Sequence, residues 1–390
     1  MAGLWSLKPP ILVRIQFPEQ ILCICMSKKK ILFLFNGGTI GQVPTEVNGK
    51  IVSAPPKDAA IFKHAVDPII SKFNEVFDVT YEIITAKESS SMTPQDWEKL
   101  IFRIKKAQDE EGYSGVGIAH GTDTLAYTAT ALAFALHGSK PNQSGLRIPV
   151  CITGAQNPVY QEGGDGRFNL ENMFRTLEKA IYQGVADVLI NFWNRVLLGC
   201  RTVKISERNF DAMQTPAILD AGVINSRGVN IFMDRVHMKK DALEKIQLAP
   251  KFGRGVISFE LTPGLDPNLL LSFITGGGVS AMILKSLGEG NVCSEGAYNL
   301  IPVIQQATKD YMTPIFMASK FIGGNADSAI DASGAAAINA GAIACLDSTD
   351  VAIDVKVRWL AGNGICSTIE DFARAMRTSY CGEVTEPERV

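Results

Sequence analysis

The apolar residues of the chain fall into short continuous runs, each followed by a polar, glycine-containing turn and a stretch with helical spacing. Runs of about four to eight apolar residues are typical of parallel strands that are buried on both faces. Two clear examples are Ile31-Leu32-Phe33-Leu34-Phe35 and Gly115-Val116-Gly117-Ile118. This alternation of strands and helices predicts a parallel-sheet α/β domain over residues 27–220, with right-handed crossovers.

A second and shorter series of the same kind begins at Gly255. It predicts a smaller α/β domain over residues 253–390. Residues 221–252, between the two series, are more polar, and we expect them to link the two domains. The predicted fold class is therefore a two-domain α/β protein whose larger domain comes first.

Residues 1–26 belong to neither series. Pro9, Pro10 and Arg14 interrupt their apolar positions, which argues against the core of a signal peptide. From Met26 onward the chain runs straight into the first predicted strand. We therefore expect the working protein to begin near Met26 and residues 1–26 to be a disordered or non-native extension.

The composition is that of an ordinary globular protein, with 46% hydrophobic and 20% charged residues in a chain of 390. The net charge of −2 and the lack of a long basic run argue against nucleic acid or an anionic membrane as a partner. No apolar run is long enough to span a bilayer. The eight cysteines are scattered, mostly inside apolar segments, which predicts reduced core thiols and a cytoplasmic location.

Two of the polar turns carry hydroxyl groups directly after an apolar run. Asn36-Gly37-Gly38-Thr39 follows the first strand, and Ala119-His120-Gly121-Thr122-Asp123-Thr124 precedes an apolar helical stretch. Ligands of α/β proteins bind at the carboxyl ends of strands, where a helix start also offers unpaired N–H groups. Taken singly, each motif is equally compatible with a tight turn or an ordinary helix cap.

The chain contains four further polar segments, each of which is also compatible with simple turn chemistry or surface charge. Their order along the chain carries more information than any one of them. They are the serine run Lys87–Pro94, the turn Thr153-Gly154-Ala155-Gln156, the glycine-rich loop Gly163-Gly164-Asp165-Gly166, and Lys204 beyond an apolar strand.

Together these segments resemble the bacterial-type L-asparaginase/glutaminase family, most closely its cytoplasmic type I branch. Asn36–Gly41 is similar to the first threonine signature of that family, and His120–Thr124 is identical to the second, HGTDT. Ser89–Trp97 resembles the substrate loop of type I members, and Asp165-Gly166 and Arg201–Lys204 also match. The resemblance extends from about residue 28 to the C-terminus. It implies a flavodoxin-like larger domain, a homodimer or homotetramer, and an L-asparaginase that needs no metal or cofactor.

The resemblance also implies a role for individual residues. Thr39 would be the nucleophile, with Thr122, Asp123 and Lys204 as the supporting triad. Ser89, Ser90, Thr122 and Asp123 would bind the substrate L-asparagine, with Ser89 and Asp123 contacting its α-carboxylate and α-ammonium groups. Backbone N–H groups at Gly38, Thr122 and near Ala155 would hold the oxyanion.

This set of residues makes chemical sense by itself. A threonine hydroxyl is a poor nucleophile until a base removes its proton. Lys204 can act as that base through Thr122 if burial disfavours its ammonium form, whereas Asp123 would favour the ammonium. Attack on an amide would then give an acyl-enzyme ester and ammonia.

One departure from the family pattern keeps other interpretations open. Residues 42–56, which we expect to form a mobile loop over the site, lack the tyrosine that family members place there. A catalytically silent member that binds amino acids is therefore one alternative, and an amidase subunit of a tRNA-dependent amidotransferase is another. The preference for asparagine over glutamine depends on about one methylene, worth only ~1–3 kcal/mol, and stays open.

Overall fold

The computed structural model describes residues 27–141, 144–240, 248–327 and 331–386, so the expected extension at residues 1–26 lies outside the described residues. The strands are Lys29–Asn36 (β1), Val43–Val47 (β2), Lys50–Ala54 (β3), Phe77–Thr85 (β4), Gly115–His120 (β5), Val150–Thr153 (β6), Val188–Phe192 (β7), Arg195–Leu198 (β8), Val203–Lys204 (β9), Met213–Gln214 (β10), Gly222–Asn225 (β11), Gly228–Ile231 (β12), Val256–Glu260 (β13), Ala281–Ser286 (β14), Ile315–Ser319 (β15) and Ile343–Ala344 (β16). The α-helices are Ala59–Ile70 (α1), Pro94–Asp109 (α2), Leu125–His137 (α3), Asp165–Gln183 (α4), Pro267–Thr275 (α5), Ile301–Lys309 (α6), Ala332–Asn339 (α7), Asp350–Gly362 (α8) and Ile369–Met376 (α9).

The larger sheet has the strand order β12-β11-β8-β7-β6-β5-β1-β4. The strands β4, β1, β5, β6 and β7 pair in parallel, whereas β8, β11 and β12 add an antiparallel edge. Numbered in chain order, the five parallel strands lie in the order 2-1-3-4-5, which is the flavodoxin-like arrangement. The prediction of a flavodoxin-like larger domain is confirmed. The strand order reverses between β1 and β5, and α/β proteins bind ligands outside the carboxyl ends of such a pair.

Strand β1 shows why its sequence is a continuous apolar run. Leu32 and Leu34 lie in the core cluster on the side of α2 and α3, whereas Phe33 and Phe35 lie in the cluster formed with α1 and α4. Because successive side chains of a strand point to opposite faces, helices on both sides of the sheet require apolar residues at every position.

The smaller domain contains a second parallel sheet with the order β13-β14-β15-β16. Helix α3 lies between the two domains, and all of its residues except Tyr127 are buried. The rings of Phe134 in α3 and Trp359 in α8 stack with their centroids 5.1 Å apart. One apolar cluster therefore runs from the first sheet through α3 into the second domain.

Part of the segment expected to link the domains belongs to the larger sheet. Strands β11 and β12 form an antiparallel hairpin, and β11 pairs with β8. At four residues each, the two strands are too short for their alternation to stand out from the polar segment around them. The boundaries at residues 220 and 252 themselves stay predictions, and residues 241–247 lie outside the described residues.

Residues 42–56 were expected to be a loop, but most of them form the hairpin of β2 and β3. Asn48 and Gly49 connect the strands with φ angles of 52° and 75°. Positive φ at both central residues is the geometry of the tight turn that an Asn-Gly pair favours in a hairpin. The sequence analysis overlooked this turn signal, and the expected mobility of residues 42–56 over the site stays a prediction.

The sequence predicts reduced thiols in the core and contains no apolar run long enough to span a bilayer. The thiols of Cys151, Cys200, Cys345, Cys366 and Cys381 are buried and unpaired, whereas Cys293 is exposed. Within the described ranges, no helix has both the length and the apolar character needed to cross a bilayer.

Candidate active site

The turns after β1 and β5 touch each other at the carboxyl edge of the larger sheet. Gly38 has a φ of 87°, and a Cβ atom placed there would collide with the backbone of Gly121. A Cβ on Gly121 would in turn lie 2.6 Å from Cβ and Oγ of Ser89. Glycine at both positions therefore lets the two threonine turns and the serine turn come together. Thr39, next in the chain after Gly38, begins a single 3-10 turn and is half-buried.

Lys204 reaches this point from β9, far along the chain. Its Nζ donates to Thr122 Oγ1 at 2.9 Å and pairs with Asp123 Oδ1 at 2.6 Å. The Lys204 side chain is 19% exposed, whereas the Asp123 side chain is 63% exposed. The amine therefore faces a hydroxyl and a solvent-accessible carboxylate rather than bulk water. An amine held against a hydroxyl in this way has the geometry needed to exchange a proton with it.

The strand that carries Lys204 is anchored to the second domain. Arg201 is buried, and its guanidinium donates to the carbonyl of Gly382 at 2.6 Å and to Oδ2 of Asp347 at 2.9 Å. It also donates to Oγ1 of Thr385 at 3.2 Å. Because Arg201 lies three residues before Lys204, these bonds fix the lysine relative to both domains.

The serine turn is tied to the second threonine motif. Thr124 Oγ1 donates to the carbonyl of Ser89 at 2.8 Å, and Ser89 is buried whereas Ser90 is exposed. The helix that follows begins with a capping network in which Asp96 accepts from Thr93 N and Oγ1 at 3.1 and 2.8 Å. Burial would raise the pKa of Asp96, but the hydrogen bonds from Lys87, Thr93 and Lys99 outweigh it and lower that pKa to about 2.

A fourth turn, after β6, faces Thr122. A Cβ on Gly154 would lie 3.1 Å from Cγ2 of Thr122. The carbonyl of Gly154 accepts from Nδ2 of Asn169 at 2.9 Å, and Asp165 accepts from the N–H groups of Gln156 and Asn157 at 3.0 and 2.9 Å. Since the C=O and N–H of a trans peptide point in opposite directions, Asn169 also fixes the direction of the N–H of Ala155.

His120 supports the second threonine motif from inside the core. Its ring nitrogens lie 2.8 Å from the carbonyl of Gly121 and 2.9 Å from Oγ1 of Thr128. Trp97 Nε1 also donates to Thr128 Oγ1, at 3.2 Å. Burial lowers the pKa of His120 to about 4, so the imidazole is neutral at pH 7. This positioning role was missing from the sequence analysis, although the buried strand before His120 was a signal for it.

The second domain borders the same region. Lys204 lines a cavity of about 180 Å³ together with Pro216, Lys320 and Asp350. Asp350, the first residue of α8, forms an ion pair of 2.6 Å with Lys285 of its own chain. The lysine therefore lies close to the interface between the two domains.

The turns and Lys204 that meet at this site are the segments on which the family resemblance of the sequence was based. Comparison with known protein families supports that resemblance. The family model described as "Asparaginase, N-terminal" matches residues 30–237, which is more than half of the chain. The chain belongs to the asparaginase family. Family members hydrolyse the amide bond of asparagine, so the fold and the site belong to a family of amidohydrolases.

Individual relatives match along most of the chain. L-asparaginase 1 of Escherichia coli strain K12 is 30% identical over 364 residues, covering 92% of this chain and 99% of the relative. One subunit of the glutamyl-tRNA(Gln) amidotransferase of Saccharolobus islandicus strain M.14.25 is 27% identical over 368 residues, covering 92% of this chain and 76% of the relative. The structure of the thermostable L-asparaginase from Thermococcus kodakarensis superimposes with a TM-score of 0.77 at 26% identity, covering 91% of this chain and 99% of that one.

Proposed function

We propose that this chain hydrolyses L-asparagine to L-aspartate and ammonia through an acyl-enzyme ester on Thr39. The observation that carries the proposal is the contact of the Lys204 amine with Thr122 Oγ1, at the point where the turns after β1 and β5 touch. Family membership supports the substrate class, because the relative in Escherichia coli is named L-asparaginase 1.

The substrate is held by the groups that surround this contact. The Asp123 side chain is largely exposed, and its carboxylate pairs with the substrate's α-ammonium group. Ser89 and Ser90 offer hydroxyl groups to the α-carboxylate, and the carbonyl of Ser89 is already fixed by Thr124. These contacts place the side-chain amide of asparagine against Thr39.

The chemical step needs a base and donors for the developing charge. Thr39 Oγ1 attacks the amide carbon, the new C–O ester bond forms and the C–N bond breaks, and the hydroxyl proton leaves with ammonia. Lys204 and Thr122 relay that proton. The N–H groups of Gly38, Thr122 and Ala155 stabilise the oxyanion, and loss of one such donor typically costs about 3–4 kcal/mol. Water then attacks the ester, which releases aspartate and returns a proton to Thr39.

The test is an ammonia-release assay with L-asparagine, L-glutamine and their D-forms. Thr39→Ala and Thr122→Val should each reduce turnover of L-asparagine by at least about a thousandfold while the far-UV spectrum stays unchanged. Thr275→Val, at an exposed position at the end of α5, is the matched control and should keep full activity. If Thr39→Ala kept nearly wild-type turnover, the assignment of Thr39 as the nucleophile would be wrong. Ligand-dependent thermal stabilisation without ammonia release would instead favour a silent amino-acid-binding member.

A second candidate function is that of an ammonia-producing amidotransferase component. The match to the amidotransferase of Saccharolobus islandicus favours it, although 24% of that relative has no counterpart in this chain (100% less the 76% that is covered). In that case glutamine would be the substrate, and its hydrolysis would depend on a partner protein and tRNA. Rapid hydrolysis of free L-asparagine by the isolated chain would exclude this candidate as the main activity.

A further inference from the structure

A second cluster of reactive side chains lies in the larger domain, away from the proposed active site. Among the described residues, His137, Asp187 and His237 are the one group of three potential metal ligands whose ligand atoms all lie within 4.8 Å of one another. The chain has four histidines, so half of them are in this cluster. Helix α3 begins beside the threonine motif and ends at His137, so its 13 residues place the cluster about 20 Å from that motif.

The distances in the cluster suit a small ion. Nε2 of His137 lies 3.4 Å from Oδ1 of Asp187, and Nδ1 of His237 lies 2.9 Å from Oδ2 of the same carboxylate. Neighbouring ligands of a tetrahedral zinc ion, bound at about 2.0–2.1 Å, lie about 3.3–3.4 Å apart. The three ligand atoms all lie within 4.8 Å of one another, so rotations of these side chains can bring them to that spacing around one ion.

The ligands are supplied by firmly held backbone. His137 is the last residue of α3, Asp187 precedes β7, and the carbonyl of His237 accepts from the N–H of Ala186 at 2.9 Å. The Asp187 carboxylate also accepts the N–H groups of Val188 at 2.7 Å and His237 at 2.9 Å. Such bonds from outside the ligand set fix the orientation of a metal ligand before the ion arrives.

The local charge favours a cation. Asp187 is buried, and an ionised carboxylate away from water needs a positive partner. His137 lies at the C-terminal end of α3, where the partial charges of the helix carbonyls are negative. The Asp187 carboxylate and the C-terminal end of α3 therefore both direct negative charge toward the centre of the cluster.

The cluster is open on one side. His137 and Asp187 are buried, whereas the His237 side chain is 38% exposed. His237 borders a surface cavity that is also lined by Leu198, Leu219 and Gly382. This side provides an entry path for an ion and a position for a solvent ligand.

We propose that His137, Asp187 and His237 bind one divalent transition-metal ion, for which zinc is the fitting probe. The two imidazole nitrogens, one carboxylate oxygen and a water molecule complete a tetrahedral set. The imidazoles bind as neutral donors, so the protons now between them and the carboxylate move to the other ring nitrogen or leave to solvent. The ion joins the end of α3 to the start of β7 and to the segment around His237, and it takes no part in amide hydrolysis.

The experiment uses the full chain without an affinity tag, stripped of metal with a chelator and titrated with Zn²⁺ in a calorimeter. The wild-type protein should bind one zinc ion per chain. His237→Gln, at the half-exposed ligand, should weaken that binding at least a hundredfold, and His64→Gln on the exposed face of α1 should leave it unchanged. Zinc should raise the melting temperature of the wild type and His64→Gln but not that of His237→Gln.

Two results would overturn the proposal. One is the lack of stoichiometric zinc binding by the folded wild-type chain. The other is equal zinc affinity in wild type and His237→Gln, which would place the binding at thiols or surface groups. Asp187→Asn keeps the side-chain volume and provides a second variant should His237→Gln fail to fold. Since none of these readouts is ammonia release, the result is independent of the proposed hydrolase activity.

Discussion

Lys204 and Lys356 both direct their ammonium groups into the protein, but their surroundings differ. Lys204 is 19% exposed, and its partners are the hydroxyl of Thr122 and the exposed carboxylate of Asp123. Lys356 is fully buried, and its Nζ lies 2.6 Å from Oε1 of Glu383 and donates to the carbonyl of Thr378 at 2.8 Å.

The difference lies in what each partner can do with a proton. Glu383 is as buried as Lys356, and the N–H groups of Tyr380 and Cys381 each donate to it at 2.9 Å. Burial would raise the pKa of Glu383, but Lys356 and the N–H group of Cys381 hold it below its usual value. The ion pair is therefore closed and structural. The hydroxyl beside Lys204 can both accept and donate, so a proton can move there without leaving a buried charge unpaired.

The substitution Lys204→Met tests most directly whether Lys204 acts in catalysis whereas Lys356 acts in stability. We expect turnover of L-asparagine to fall by about 10³- to 10⁴-fold, or about 4–5.5 kcal/mol, because the base is lost. The free energy of unfolding should change by less than about 1 kcal/mol, since Asp123 stays solvated. Ammonia release and urea unfolding measure the two effects. Lys179→Met, at an exposed position of α4, is the control, and a Lys204→Met enzyme of normal rate would contradict the proposed base.

Lys356→Met should show the opposite pattern. It leaves Glu383 buried without its cation, so we expect a loss of about 3–5 kcal/mol in the free energy of unfolding. The turnover of the molecules that remain folded should be close to that of the wild type. Urea unfolding of the double variant Lys356→Met/Glu383→Gln should recover part of the loss, because the uncompensated charge is gone. Equal stability of the single and double variants would show that packing, rather than charge, accounts for the loss.

The ion pairs of Lys87 and Lys99 with Asp96 should have a smaller effect on the free energy of unfolding. Asp96 is buried between the exposed residues Lys87 and Lys99, and its pKa is lowered to about 2. Because the folded-state pKa lies below the unfolded one, the stabilisation is present above about pH 4 and is lost as the pH falls through about 2. Its size is about 2 kcal/mol. Urea unfolding between pH 5 and pH 2 should show the wild type losing about that much more than Asp96→Asn. Parallel pH profiles of the two proteins would refute the assignment.

Local patterns in the sequence predicted much of the larger domain. The run from Ile31 to Phe35 is buried on both faces as expected. The family resemblance implied that Lys204 acts beside Thr122, and the structure shows a hydrogen bond between these two side chains. The chemical roles of Thr39, Thr122, Asp123 and Lys204 stay predictions, as do the homo-oligomer and the cytoplasmic location.

Contacts between distant parts of the chain could not be predicted in this way. Arg201 and Asp347 are 146 positions apart, and Asp187 and His237 are 50 apart. Neither pair follows a helical or strand period, so periodicity carries no trace of it. The β11–β12 hairpin was missed for a related reason, since two strands of four residues pair through their backbones and need few apolar side chains.

The position of α3 also sets a limit on how this protein can be divided or recombined. Helix α3 is buried at every residue except the half-buried Tyr127, so a fragment ending before the second domain would expose the face that now meets α8. Such a fragment should aggregate rather than fold. Chimeras that exchange the smaller domain between relatives must therefore preserve the shape of α8 opposite Phe134, even though that surface is remote from any substrate.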